Sequence, residues 1–298
     1  MTNKKIYLKD IEDGNIKISL MINKKLYKEG NKIVYLLSDK SGYINGKIPT
    51  KFKLEPGQVL EVEGVKDYNI DISHVKILPD YNVDDYLPTV DRDINEIMED
   101  IEYISKECIT SPQGKMLDDY FFKNEEFLEK FKRGIGGVSM HHNYIGGLAE
   151  HTLGVMYLTK ILCDLYNCRR REIAVLSAKL HDIGKIYEMY YDRPFKYTLE
   201  GELEGHIVIG VQMIDRAIND MKIPFSEDFI RRIKGCITQH HGKLEYGSPK
   251  KANMEESIIL NYADSIDASL NKINQIKSDT KEDTWSLYDK KIDTKLYL

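Results

Sequence analysis

The sequence predicts a two-domain protein, a small all-β barrel followed by an all-α helical bundle, on three observations. Apolar and polar residues alternate in short runs as far as about residue 78. A segment with two prolines and five aspartates interrupts the pattern at 79–93. Beyond Asp93 the apolar residues recur at helical spacing instead. At 298 residues the chain can bury two separate cores.

The alternating runs are Ile16–Ile22, Ile33–Leu37, Gly42–Ile48, Val59–Val65 and Ile70–Leu78. Turn formers separate them at Glu29-Gly30-Asn31, Ser41-Gly42 and Glu55-Pro56-Gly57. Five short strands with a hairpin-like centre fit a closed barrel of the OB type over residues 1–80. A sandwich or an SH3-like barrel would write nearly the same string, so periodicity by itself settles a small all-β domain. Residues 81–132 are expected as an acidic linker and connecting helices. The first has Ile94, Ile97, Met98, Ile101 and Ile104 on one face; others follow from Gly114–Tyr120 and over Asn124–Lys132. Residues 133–298 are expected as the bundle. There His151, Val155, Leu158, Leu162 and Leu165 share a stripe, as do Ile173, Leu176, Leu180 and Ile183. Ile259, Ala263, Ile266 and Leu270 form a late one, and the polar tail after Lys272 is expected to add little core.

A composition of 42% apolar and 31% charged residues is that of a soluble globular protein and excludes collagen-like and disordered classes. No run of about 18 apolar residues occurs, and the first residues carry no apolar stretch of a secretory signal. Cys108, Cys163, Cys168 and Cys236 form no C-x-x-C pair, so reduced, buried thiols of a cytoplasmic protein are expected. The net charge of −5 speaks against non-specific coating of nucleic acid. Residues 1–80 nevertheless hold 14 lysines against 11 acids, a mild bias towards an anionic partner at that end.

Seven of the eight histidines lie between 141 and 241. One histidine on an inward helix face is ordinarily a hydrogen-bonded core residue. His151 on such a face, the pair His181-Asp182 before Gly184, and the pair His240-His241 before Gly242 require a joint explanation. Burying several imidazoles and carboxylates together costs several kcal/mol each unless they pair or ligate a cation. With Asp264 available on a later helix, a metal site is the simplest compensation. Mixed imidazole and carboxylate ligands suit Mn, Fe, Co or Zn better than Mg.

The order His151, His181-Asp182, Asp264 resembles the signature of the HD-superfamily phosphohydrolases. The added His206 and His240-His241 resemble the subset that binds two metals. The segments His141–Thr152, Glu200–Ile207 and His240–Lys250 further resemble the YhaM-type 3′-to-5′ exoribonucleases, which also place an OB-fold before an HD domain. The resemblance implies one metal on His151, His181, Asp182 and Asp264, and a second on Asp182, His206, His240 and His241. It points to Mn²⁺, two ions per chain, which lower the pKa of a water between them and clamp the phosphate oxygens. Asp182 and Lys185 are then the catalytic candidates, Lys185 neutralising the phosphate. His141, His142 and Lys243 match positions on the substrate side, and Asp267 is expected to orient a ligand. The chain departs from the family pattern at Arg133–Met140, at Gly46–Thr50 where a tryptophan is frequent, and at Asn261 where a histidine is frequent.

On this resemblance the barrel feeds a 3′ end to the metals. Tyr35, Tyr43, Phe52 and Tyr68 are candidates for base stacking, and Lys40, Lys47, Lys51 and Lys53 for phosphate contacts. The implied function is a 3′-5′ exoribonuclease acting on single-stranded RNA, with single-stranded DNA as a second substrate, releasing nucleoside monophosphates, and a homo-oligomer is compatible with it. Two alternatives stay open at this point: an HD phosphodiesterase or nucleotidase for small nucleotides, and a single-strand-binding regulatory factor.

Overall fold

A computed structural model describes residues 6–138, 142–222, 224–278, 280–290 and 292–298. Five strands form the N-terminal sheet: β1 (Gly14–Glu29), β2 (Lys32–Asp39), β3 (Gly42–Pro49), β4 (Val59–Lys66) and β5 (Ile70–Leu78). They close into a barrel in the order β1-β2-β3-β5-β4. Closure depends on β1, which is twice as long as the alternating run Ile16–Ile22 suggests. Its first half pairs with β4 and its second half with β2, and register shifts after Ile22 and Lys25 bend it between the two. The link between β3 and β5 is short and parallel, Gly46 opposite Ile70 and Lys47 opposite Asp71.

Alternation works as the sequence implies. Ile18, Leu20 and Ile22 point inward and meet Leu37, Ile48, Leu60, Val62, Ile70 and Ile72. Tyr35 belongs to this core as well, buried to 2% exposure, so it is not available to stack on a base. The acidic, proline-containing segment after β5 is anchored on the barrel. Tyr86 and Leu87 are buried, the Ser38 hydroxyl donates to the Tyr86 carbonyl at 2.6 Å, and the Tyr86 hydroxyl donates to Ser19 Oγ at 3.1 Å. The first compact unit accordingly extends to Asp91 and takes in Tyr190–Lys196. The second comprises Arg92–Met189 and Tyr197–Leu298.

The second unit is helical: α1 (Ile94–Cys108), α2 (Pro112–Phe122), α3 (Glu125–Arg133), α4 (Gly147–Tyr166), α5 (Arg171–Leu180), α6 (Lys185–Glu188), α7 (Leu199–Met221), α8 (Glu227–Gln239) and α9 (Glu255–Ser278). Side chains set several of the starts. Asp93, Ser111, Asn124, Thr198 and Ser226 each accept a first-turn N–H, and Pro112 occupies the first turn of α2. α4 and α5 pack on each other and on α9 through Val155, Met156, Cys163, Ala174, Leu176, Leu260 and Ala263, all essentially inaccessible. Two stripes turn differently from expectation. Leu165, near the end of α4, and Ile266 and Leu270, on the outer face of α9, stand exposed. All four cysteines are free and buried, and no described helix is long and apolar enough to cross a membrane.

Leu60 is fully enclosed in the barrel. Leu60→Ala should cost about 2–5 kcal/mol of barrel stability in urea unfolding followed by the β-sheet signal. A change below about 1 kcal/mol would mean that this core collapses around the lost atoms.

Candidate metal centre

The chemistry begins where two helices stop. α5 ends at Leu180, and His181 directly after it still has helical backbone angles. The last carbonyls of a helix have no partner within it. His181 Nδ1 takes one of them, donating to Ala178 O at 2.8 Å. α8 ends in the same way, with His240 Nδ1 donating to Ile237 O at 2.7 Å. A carbonyl only accepts, so in both rings the proton sits on Nδ1 and the lone pair on Nε2 faces away from the helix end.

The other imidazoles are held by the same nitrogen. His206 follows Gly205, whose φ of 73° breaks α7. The freed His206 N–H and the His206 Nδ1 both lie 3.0 Å from one oxygen of the buried Glu188. His241 Nδ1 donates to Tyr246 O at 3.0 Å. His151 Nδ1 lies 2.7 Å from Asp267 Oδ2, a contact that glycine at 154 permits, since a Cβ there would strike the Asp267 carboxylate. Five Nδ1 atoms are thus committed outward, and five Nε2 atoms remain for the centre.

Asp182 stands in the middle, buried, and its two oxygens address two different sets. Oδ2 is 3.4 Å from His151 Nε2 and 3.3 Å from His181 Nε2. Oδ1 is 3.4 Å from His206 Nε2 and 3.7 Å from His240 Nε2. Asp264 Oδ1 adds to the first set, 3.2 Å from His151 Nε2. His241 adds to the second, since ligand atoms of His206, His240 and His241 lie within 4.8 Å of one another. Glycine at 184 lets this turn approach α7, because a Cβ there would collide with the His206 carbonyl.

Asp182 Oδ1, His206 Nε2 and His240 Nε2 are buried and make no hydrogen bond. Three lone-pair atoms converging on one another repel unless something positive lies between them. Burial, with His241 and His181 beside it, holds His240 well below the ordinary imidazole range, and burial with His206 lowers His241. Imidazoles held in this way are suited to ligate a cation. Burial opposes charge on Asp182, yet His181 and Lys185 outweigh it and keep the carboxyl ionised. The residues therefore fit a divalent metal centre.

Of the sequence candidates, the structure brings together His151, His181, Asp182, His206, His240, His241 and Asp264. Lys185 joins them as the counter-charge of Asp182, its ammonium 2.6 Å from Oδ2 and donating to Gly136 O at 2.8 Å. His142 is buried instead of facing a substrate. Its Nε2 is 3.0 Å from Asp267 Oδ2, its Nδ1 is 2.9 Å from Glu150 Oε2, and the Tyr144 hydroxyl closes on the same pair. Asp267 is thereby clamped between His142 and His151. Lys243 is exposed, 3.3 Å from Glu245, and His141 lies outside the described residues. At the departure Asn261, the amide donates to His240 O at 2.7 Å and so steadies a ligand's backbone. Sequence reasoning missed Glu188. The only signal for it was Gly205, which interrupts a helical pattern immediately before a histidine.

An HD domain model matches residues 148–269, which span every residue of the cluster. Fold and site together make this a metal-dependent phosphohydrolase of the HD class. The chain is 30% identical over 257 residues to the 3′-5′ exoribonuclease YhaM of Bacillus subtilis (strain 168), covering 82% of this chain and 80% of that protein. It is 35% identical over 194 residues to YhaM of Geobacillus sp. (strain WCH70), 65% of this chain and 58% of the relative. A third YhaM, from Bacillus velezensis, is 33% identical over 190 residues, 63% and 59% of the two chains. The chain belongs to the YhaM family. No solved structure matches it.

Asp267→Ala and Glu188→Ala should each lower divalent-metal affinity by about 10–100-fold, read by metal analysis after equilibrium dialysis. Affinity unchanged in both would deny these acids their orienting part.

Proposed function

We propose that this chain is a 3′-5′ exoribonuclease that holds two divalent ions, Mn²⁺ foremost, and shortens single-stranded RNA, and single-stranded DNA of the same polarity, one nucleotide at a time. The observation that carries this reading is the position of Asp182, one carboxylate oxygen towards each of two imidazole sets. His151, His181, Asp182 and Asp264 would hold one ion, and Asp182, His206, His240 and His241 the other. When bound, the ions supply a nucleophile at neutral pH and a clamp for the phosphate oxygens.

The chain's own residues do the rest. The outward hydrogen bonds of the five Nδ1 atoms pre-set the ligands, so none has to reorganise when a phosphate arrives. Lys185 keeps Asp182 ionised and places a buried ammonium beside the cluster. It is therefore placed to share its charge with the phosphorane-like transition state. The oxygen of water bonds to phosphorus, the bond to the 3′-oxygen of the preceding nucleotide breaks, and a nucleoside 5′-monophosphate leaves.

The strand order β1-β2-β3-β5-β4, with its parallel β3–β5 link, supports an OB-type barrel for residues 1–80, suited to holding a single strand. With Tyr35 in the core, Tyr68 is the ring best placed to stack, exposed to 93%. Lys47 lines the same depression, a hollow of about 990 Å³ on the barrel surface.

The test uses purified protein, Mn²⁺ and an oligoribonucleotide labelled at its 5′ end. The label should move through progressively shorter products, chelation should stop it, and Asp182→Ala should reduce the rate by at least about 10³-fold. Full activity in that variant would dismiss the centre. Hydrolysis of small nucleotides with the oligomer left intact would replace the substrate assignment.

A further inference from the structure

α9 has two unlike faces. The inner one carries Ser257, Leu260 and Ala263 into the core and points Asp264 and Asp267 at the metal centre. The outer one has no charge. From Glu256 to Asn271 every exposed residue is neutral: Ile258, Tyr262, Ser265, Ile266, Ser269 and Leu270. A helix face that meets only water ordinarily carries charged side chains. The centre of a protein interface is where charge is depleted and aromatic residues gather.

The neighbouring helix continues the same surface. Gly154 of α4 lies against Asp267, and Cys163 of α4 packs near Ile259, so the two helices run antiparallel. Along the flank of α4, one turn apart, stand Tyr157, Ile161 and Leu165, exposed to 57%, 43% and 65%. Beside them Ile258, Tyr262, Ile266 and Leu270 of α9 are exposed to 42%, 61%, 38% and 54%.

Together these seven residues leave on the order of 700 Å² of accessible surface open, close to the roughly 800 Å² per partner of a standard stable interface. A hollow of about 790 Å³ at one end of the patch is lined by Tyr103 and Leu270 but also by Arg92, Asp100, Glu107 and Lys160, so the uncharged surface stops there. The surface thus offers uncharged side chains along two adjacent helices, and a two-fold contact sets one such patch against its own copy.

We propose that two copies of this chain form a two-fold symmetric dimer by pairing the outer faces of α9, with the α4 flanks closing over the seam. Ser265 and Ser269, one turn apart and small, let the two α9 helices approach near the axis. The inference is independent of the hydrolase reading, since it rests on the face of α9 turned away from the metal centre.

Sedimentation velocity on the full chain at micromolar concentration should give about twice 34.6 kDa. The double variant Ile258→Asp/Tyr262→Asp should halve that mass with its helical circular dichroism unchanged. As the native thiols are buried, a cysteine introduced by Ser265→Cys or Ser269→Cys is the reactive one, and mild oxidation should yield a covalent dimer. A monomeric wild type, a dimer that survives both aspartates, or the failure of both cysteines to cross-link would each overturn the proposal. So would loss of oligoribonucleotide binding in the double variant at unchanged mass, which would assign the face to the substrate.

Discussion

A single buried carboxylate, that of Asp182, is the constraint on which the helical unit depends. An ionised acid with almost no exposure survives only where its surroundings compensate the lost hydration. Lys185 does so on one side here, and the two sets of imidazoles that face the carboxylate arrive from α4, the α5–α6 turn, α7 and the end of α8. Each of these elements must therefore reach the same point. The close approach at Gly184 and the break at Gly205 are the local geometry that makes this feasible. Packing by itself would not demand either.

Around the centre runs an outer layer of acceptors that determines which nitrogen of each ring faces inward. Two are helix-end carbonyls, Ala178 and Ile237, which would otherwise lack partners. Two are acids, Glu188 and Asp267, and one is the Tyr246 carbonyl. Helix termination and ligand orientation are thus met by the same hydrogen bonds. The layer extends one step further at Asp267, where His142, Glu150 and Tyr144 hold the acid that holds His151. α9 links this layer to the molecular surface, with Asp264 and Asp267 on its inner side and an uncharged face on its outer side.

The barrel follows a different logic. Its stability comes from alternation along five strands, and its closure from one long bent strand shared between two partners. That economy places Tyr35 in the core and leaves Tyr68 on a turn, so an aromatic residue's availability to a ligand follows from its position relative to the pleat.

Much of this was written in the order of residues. Strand alternation and helical spacing depend on local backbone periodicity, so the type and approximate place of each element could be read directly. The candidate metal ligands were legible for a chemical reason: adjacent His-Asp and His-His pairs at helix ends are costly without a cation. What the chain by itself could not decide was which face each element shows to which neighbour. His142 and His151 look alike in sequence, yet one became a buttress and the other a candidate ligand because α9 delivers Asp267 between them. Leu165, Ile266 and Leu270 fit apolar stripes, but nothing among the described residues covers them. Glu188 carries no signature, since its partner His206 lies 18 positions away. Local propensity is a property of neighbours along the chain, whereas coverage and orientation belong to pairs far apart in it, and only the tertiary packing brings those together.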